Sequence, residues 1–204
     1  MRAVLITLVV TSAAAATTGT SITNLSSESR YTLTAIDQVP TRTQLDNAFA
    51  SDPQGALQAL ANIATDSDTS SDAIGIRLRA IHALAKYCGT SSTACAANDL
   101  AHQSVATVIT ENRSATEGST VLVLRAAIET LGTMRVAADV TTLRPLLDHP
   151  SRDIRAATAR ALRDLCNAQA ITDLRARYTV ETTDQVKLAI SEALRILGQC
   201  SANL

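Results

Sequence analysis

Aromatic residues are nearly missing from this sequence: three Tyr, one Phe and no Trp in 204 residues. A thick core between two sheets, or a large apolar ligand pocket, draws most of its bulk from such rings, so neither is expected. Lys and Arg are not in excess either, with a net charge of −1, and a generic nucleic-acid binder needs that excess to displace counterions from phosphates. Gly-rich phosphate loops are lacking. The longest apolar run, Ala3 to Val10, is too short to span a bilayer, and no later stretch approaches spanning length. The four cysteines lack the close paired spacing of a zinc site and the three histidines are scattered, so no metal site is expected. Nor does His82, His102 or His149 have a nearby Ser, Cys or carboxylate in a familiar catalytic arrangement. No catalytic residue, cofactor or metal is therefore assigned, and the chain is not expected to be an enzyme.

What is present is Ala, Leu, Val and Ile in abundance, a composition suited to closely packed helices. The N-terminus has a charged Met1-Arg2, an apolar Ala3 to Val10 and a small-residue Ser12 to Ala16, the three regions of a secretory signal peptide. Cleavage near Ala16 and a secreted or periplasmic mature protein, without membrane insertion, are expected. Four cysteines beyond that point agree with an oxidising compartment. Cys88 and Cys95 bracket a Ser/Thr-rich loop, while Cys166 and Cys200 fall at the ends of two helices made neighbours by the repeat described next. We pair them accordingly, with loop-closure entropies worth up to about 2.5 and about 4 kcal/mol.

Residues 17–45 are Ser/Thr-rich, and Arg30 to Ala35 alternates so that Tyr31, Leu33 and Ala35 share a side. An extended arm with one candidate strand is expected there, lying on the first helices or pairing with a strand from another molecule. Residues 46–204 follow the helical period, and eight helices in four pairs can be drawn. The second helices contain Ile76-Arg-Leu-Arg-Ala-Ile-His-Ala-Leu84, Val123-Leu-Arg-Ala-Ala-Ile-Glu-Thr-Leu131, Ile154-Arg-Ala-Ala-Thr-Ala-Arg-Ala-Leu162 and Val186-Lys-Leu-Ala-Ile-Ser-Glu-Ala-Leu194. In each nonet the first, fourth, fifth, eighth and ninth residues fall on one helical face. The closing leucines are 47, 31 and 32 residues apart, a nearly fixed period over the last three repeats and the mark of a stacked array. Around the last nonet, Val186, Ala189, Ile190 and Ala193 cover one arc while Lys187, Ser191, Glu192 and Arg195 hold the other, as in a capping helix with a wet outer face.

The stretch Leu143-Arg-Pro-Leu-Leu-Asp-His-Pro-Ser-Arg-Asp-Ile-Arg-Ala-Ala-Thr-Ala-Arg-Ala-Leu162 resembles a HEAT repeat of the short type also found in bilin lyases. The similarity runs from about Pro53 to Gln199. It implies an all-α fold, a short right-handed α-solenoid of about four HEAT-like helix pairs, in which Pro145 bends a first helix, Asp148 closes the turn, and Ile154 and Arg155 open the second helix. The second repeat departs by carrying Leu124 where Arg77, Arg155 and Lys187 stand in the others.

Charge is unevenly spread, with seven acids against two arginines over Thr17 to Asp72 and seven arginines against four acids over Arg144 to Arg177. Glu129, Arg160 and Glu192 share a repeat position with His82 and alternate in sign, so a ladder of ion pairs along the stack is expected. The candidate partner-binding face is Arg155, Arg160, Arg163 and Lys187, turned toward an acidic protein or peptide. The function expected is an extracytoplasmic interaction module or scaffold. Its rivals are a bilin-lyase-like enzyme, implied only by the resemblance, and a structural subunit of an envelope assembly that uses the N-terminal strand. Asn24-Leu-Ser26 and Asn112-Arg-Ser114 match the glycan acceptor pattern.

Overall fold

The structure, a computed structural model, describes residues 20–35, 39–52, 55–67, 71–88, 95–97 and 99–201. The expected signal peptide lies outside them. Ten α-helices and no strand occur among the described residues. In order they are α1 (Ser27–Thr34), α2 (Arg42–Ala48), α3 (Gly55–Thr65), α4 (Ser71–Leu84), α5 (Leu100–Asn112), α6 (Gly118–Met134), α7 (Val140–Leu143), α8 (Arg152–Asp164), α9 (Ala170–Val180) and α10 (Asp184–Ser201).

The expected four pairs are α3/α4, α5/α6, α7/α8 and α9/α10, each first helix packed on its second. The second helices stack in sequence, α4 on α6, α6 on α8 and α8 on α10. Each nonet buries the side the sequence pattern singled out: Ile76, Ala80, Ala83 and Leu84 in α4, then Val123, Ala126, Ala127 and Leu131 in α6. Ile154, Ala157, Ala161 and Leu162 do so in α8, and Val186, Ala189, Ile190 and Ala193 in α10. In the middle of the stack, α8 also buries Ala156 and Ala159, because α6 and α10 close on it from two sides.

The third first helix is the irregular one. A 3-10 turn at Ala137–Asp139 leads into α7, and a second at Arg144–Asp148 follows it. Pro145 sits in the first turn of that second segment, where its missing N–H removes an α-helical donor and favours the tighter winding. The winding thus changes from α to 3-10 at the place where the repeat resemblance puts a bend. Asp148, by contrast, does not close the turn. The backbone N–H of His149 donates to Leu146 O at 3.2 Å, and the Ser151 N–H donates to the His149 ring at 3.1 Å. Asp148 reaches outward to Arg177 instead.

The segment expected to be a strand is helix α1. Ser26 caps it by accepting the Ser29 N–H at 3.0 Å, Glu28 sits in the first turn where the helix dipole favours an acid, and Ser29 and Leu33 bury one face at a spacing of four. Three alternating residues were too few to outweigh that cap. Nor is 17–45 an arm apart from the rest: α1 packs on α4 and α2 on α3, and α2 runs across the expected boundary at residue 45. Its own start is a capping box, with Thr41 and Gln44 exchanging side-chain and backbone bonds. The helical stack thus begins one irregular pair earlier than the repeat pattern suggests.

Both cysteine pairs are brought to disulfide distance as expected, Cys88 with Cys95 at a Cα separation of 4.6 Å and Cys166 with Cys200 at 5.7 Å. The Cys95 N–H also donates to Met134 O at 3.0 Å, tying that loop to the end of α6. Cys166 and Arg135 occupy the same repeat position, just past the ends of α8 and α6, and both adopt left-handed backbone, φ 53° and 58°, the usual conformation for closing a helix.

The stack is close at Gly132, where an added Cβ would stand 2.8 Å from Ala161 Cα. Gly132→Ala should destabilise the protein by about 1–3 kcal/mol in urea unfolding despite the better helix propensity of alanine. Gly75→Ala, on an open face of α4 with nothing within 4 Å, should stabilise it by about 0.4–1 kcal/mol.

Candidate interaction surface

In the first and third repeats the basic residue in second place of the nonet, Arg77 and Arg155, points not to solvent but to the turn inside its own repeat. Arg155 is buried. Its guanidinium donates to both Glu181 oxygens at 2.8 and 2.9 Å, and to the carbonyls of His149 and Pro150 at 2.9 and 2.8 Å. Glu181, fully enclosed, also accepts from Arg177 at 2.8 Å and from the backbone N–H groups of Thr182 and Thr183 at 3.1 and 2.9 Å. Hydrogen bonds from Arg155 above all, opposed by burial, hold its carboxyl far below the usual carboxylate range. One buried charge pair thereby joins the turns of the third and fourth repeats. Arg77 does the simpler form of this work in the first repeat, donating to Ala64 O at 2.9 Å, and Leu124 fills the slot with apolar bulk in the second.

Arg155 is therefore withdrawn from the partner-binding face, and the four cations named for that face are not brought together. A helix advances about 100° per residue, so the second and seventh positions of a nonet and the residue just after it point in different directions. Lys187 shares Arg155's position, half-buried in α10. Arg163 is bound by Asp164 at 2.8 Å and by Glu192 at 3.1 Å. Arg160, partly buried like Lys187, has no ion pair among the described residues.

The expected ladder of Glu129, Arg160 and Glu192 is likewise not formed. Glu129 pairs with Arg125 one turn earlier in α6, at 2.8 Å, and Glu192 crosses to Arg163. His82 uses Nδ1 to bond the Thr130 hydroxyl at 3.1 Å, linking α4 to α6, and burial lowers its pKa. What the seventh positions do form is a strip, with one polar residue from each of α4, α6, α8 and α10 in register along the stack. Leu122, 49 % exposed, stands beside it on α6. At the far end Arg135, Arg163, Glu192 and Ile196 frame a cleft of about 390 Å³ over Leu165 and Cys166.

The other two histidines are structural. His102 is buried on α5 with Nδ1 3.1 Å from Ala97 O and Nε2 2.9 Å from Asp139. A carbonyl only accepts, so Nδ1 donates to Ala97 O while Nε2 faces the Asp139 carboxyl. Burial pushes the Asp139 carboxyl up, and the bond to His102 opposes this. Asp139 escaped the sequence reading because it lies far along the chain in an irregular turn. His149 accepts at Nδ1 from Ser151, so its proton sits on Nε2, which is buried. Burial lowers its pKa, which the nearby Ala115 carbonyl opposes in part. No group of three or more His, Cys, Asp or Glu able to hold a metal ion occurs among the described residues.

Stacked helix pairs, a shared polar position on the second helices and an arginine tied to the turn in the first and third pairs describe a repeat, and the family comparison bears on it directly. The sequence model of HEAT repeats matches residues 109–195, from the end of α5 into α10. Over that stretch the chain is HEAT-like. No curated protein matches it. HEAT repeats make a helical module for protein interaction, generally without catalysis, and no described helix here is long and apolar enough to cross a membrane.

Two tests follow from the buried groups. Glu181→Ala would leave Arg155 enclosed without its partner and should cost about 3–5 kcal/mol in chemical unfolding. The pH dependence should have a set sign. His149 and His82 take up protons more readily unfolded than folded, so their share of stability is complete above the unfolded value near ~6.5 and falls away as pH drops through it. Unfolding free energy measured from pH 7.5 to 5 should decline, and His149→Gln should flatten the slope.

Proposed function

We propose that this HEAT-like protein is an extracytoplasmic scaffold that holds a protein or peptide partner on the open strip of its second helices. The observation that carries the reading is that strip: His82, Glu129, Arg160 and Glu192 in register, with Leu122 the large apolar side chain exposed within the central pairs. An extended face of this kind grips a long segment without needing a deep pocket. The location rests on the charged, apolar and small-residue regions of residues 1–16 together with two cysteine pairs at disulfide distance, which suit an oxidising compartment. Strand pairing through Tyr31 forms no part of this reading, because that segment is helical. Chemistry borrowed from bilin lyases has no residue here to support it, and fold alone confers none.

The test is site-directed photocrosslinking in intact cells. A photoreactive residue at Leu122 or Arg160 should give a discrete crosslinked band, and one at Thr110 or Thr141, exposed on the first helices, should not. Equal crosslinking from both layers, or none from the strip, would remove it as the contact face. Arg160→Glu should lower the yield at position 122 without changing the melting temperature.

A further inference from the structure

The two cysteine pairs sit in opposite surroundings. Cys95 is 4 % exposed, Cys88 is half-buried, and the Asp99 carboxylate lies 3.5 Å from the Cys95 sulfur. A thiolate formed or arriving there meets an acid at close range, which disfavours it. Cys166, by contrast, is exposed and lines the cleft of about 390 Å³ framed by Arg135, Arg163, Glu192 and Ile196. Both acids of that cleft, Asp164 and Glu192, are bound to Arg163, and Arg135 has no ion pair among the described residues. The approach to Cys166 is open in space and is not closed by charge. The bond to Cys200 also ends a part of α10 that is not packed into the core. Val186, Ile190, Ala193 and Leu197 bury that helix against α8 and α9, but from Gly198 to Cys200 no side chain is buried. Parting the two cysteines therefore frees about one turn of helix and leaves the repeat packed, a local opening of low cost.

We propose that the Cys166 and Cys200 bond is a thiol-exchange site for a small soluble thiol, attacked at Cys166 within this cleft. The incoming thiolate sulfur bonds to Cys166 Sγ as the bond to Cys200 breaks. The electron pair of the broken bond leaves on Cys200 Sγ, which takes up the proton that the incoming thiol gave to solvent. One disulfide is thus exchanged for another without net oxidation. Cys166 is the sulfur attacked because it is exposed while Cys200 is half-buried. Small thiols of the amino-acid kind carry a carboxylate, and the guanidinium of Arg135 at the rim is the group to receive it. The product is a chain thiolated at Cys166, with the last turn of α10 released. Nothing in this reading depends on a partner at the strip.

Mass spectrometry of the full chain tests it, after incubation with reduced glutathione, quenching in acid, alkylation and digestion. Glutathione should appear on Cys166 and an alkylated thiol on Cys200, roughly tenfold or more faster than any reaction of Cys88 and Cys95. In unfolding urea that preference should vanish, because exposure in the folded chain creates it. Far-UV circular dichroism of the adduct should keep the helical signal, since only the end of α10 is released. Ile196→Trp, which fills the cleft from α10, should cut the preference roughly fivefold with the helical signal intact. Comparable rates at the two pairs in the folded protein, glutathione on Cys200 in place of Cys166, or a preference that survives unfolding would each overturn the proposal. So would loss of the helical signal on thiolation, or an Ile196→Trp variant whose preference is unchanged.

Discussion

The second helices of this protein approach so closely that at Gly132 there is no room for a methyl group against Ala161. Much else in the molecule follows from that constraint. With four aromatic residues in the whole chain, bulk cannot fill the space between helices, so the space must be small. Alanine at 126, 127, 156, 157, 159, 161 and 193 makes it small. Dispersion contacts at short range then replace the large areas that rings would bury. Backbones this close leave little freedom in crossing angle or register, which is why polar residues at equivalent positions emerge in register on the open side.

Close packing also brings the turns between paired helices together, where backbone carbonyls and N–H groups need partners out of reach of water. Arg155 meets that need with four acceptor contacts and Glu181 with donors from two arginines and two backbone amides. A buried ion pair adds little against an apolar substitute, but once present neither half can be removed alone. Arg77 and Leu124 show two other solutions to the same slot. A repeat tolerates this variety because each turn is answerable only to its neighbours.

The repeats were legible in the sequence because their signal is periodic and redundant. Four nonets each placed at least four apolar residues among the five positions on one face, and an error in any one of them would not have disturbed the pattern. The disulfides were legible because the repeat made Cys166 and Cys200 neighbours. The segment at Arg30 to Ala35 was misread because alternation over three residues is a weak signal, and the Ser26 cap with its partner Ser29 lacks the glutamate that makes a capping box conspicuous. The His102 and Asp139 contact could not be read at all, since nothing local in either segment announces the other.

The partner-binding face was misjudged for a more general reason. A count of arginines between 144 and 177 measures charge in a segment, not charge on a surface. Folding commits Arg155 and Arg177 to Glu181, Arg163 to Asp164 and Glu192, and Arg144 to Asp173. After those pairings the open strip holds Arg160 between Glu129 and Glu192, acids that already have partners, and its net charge is close to balanced. A balanced strip does not steer an acidic chain from a distance. Recognition there has to come from fit at contact, in which an exposed Leu122 and a cleft floored by Leu165 count for more than the sum of the charges.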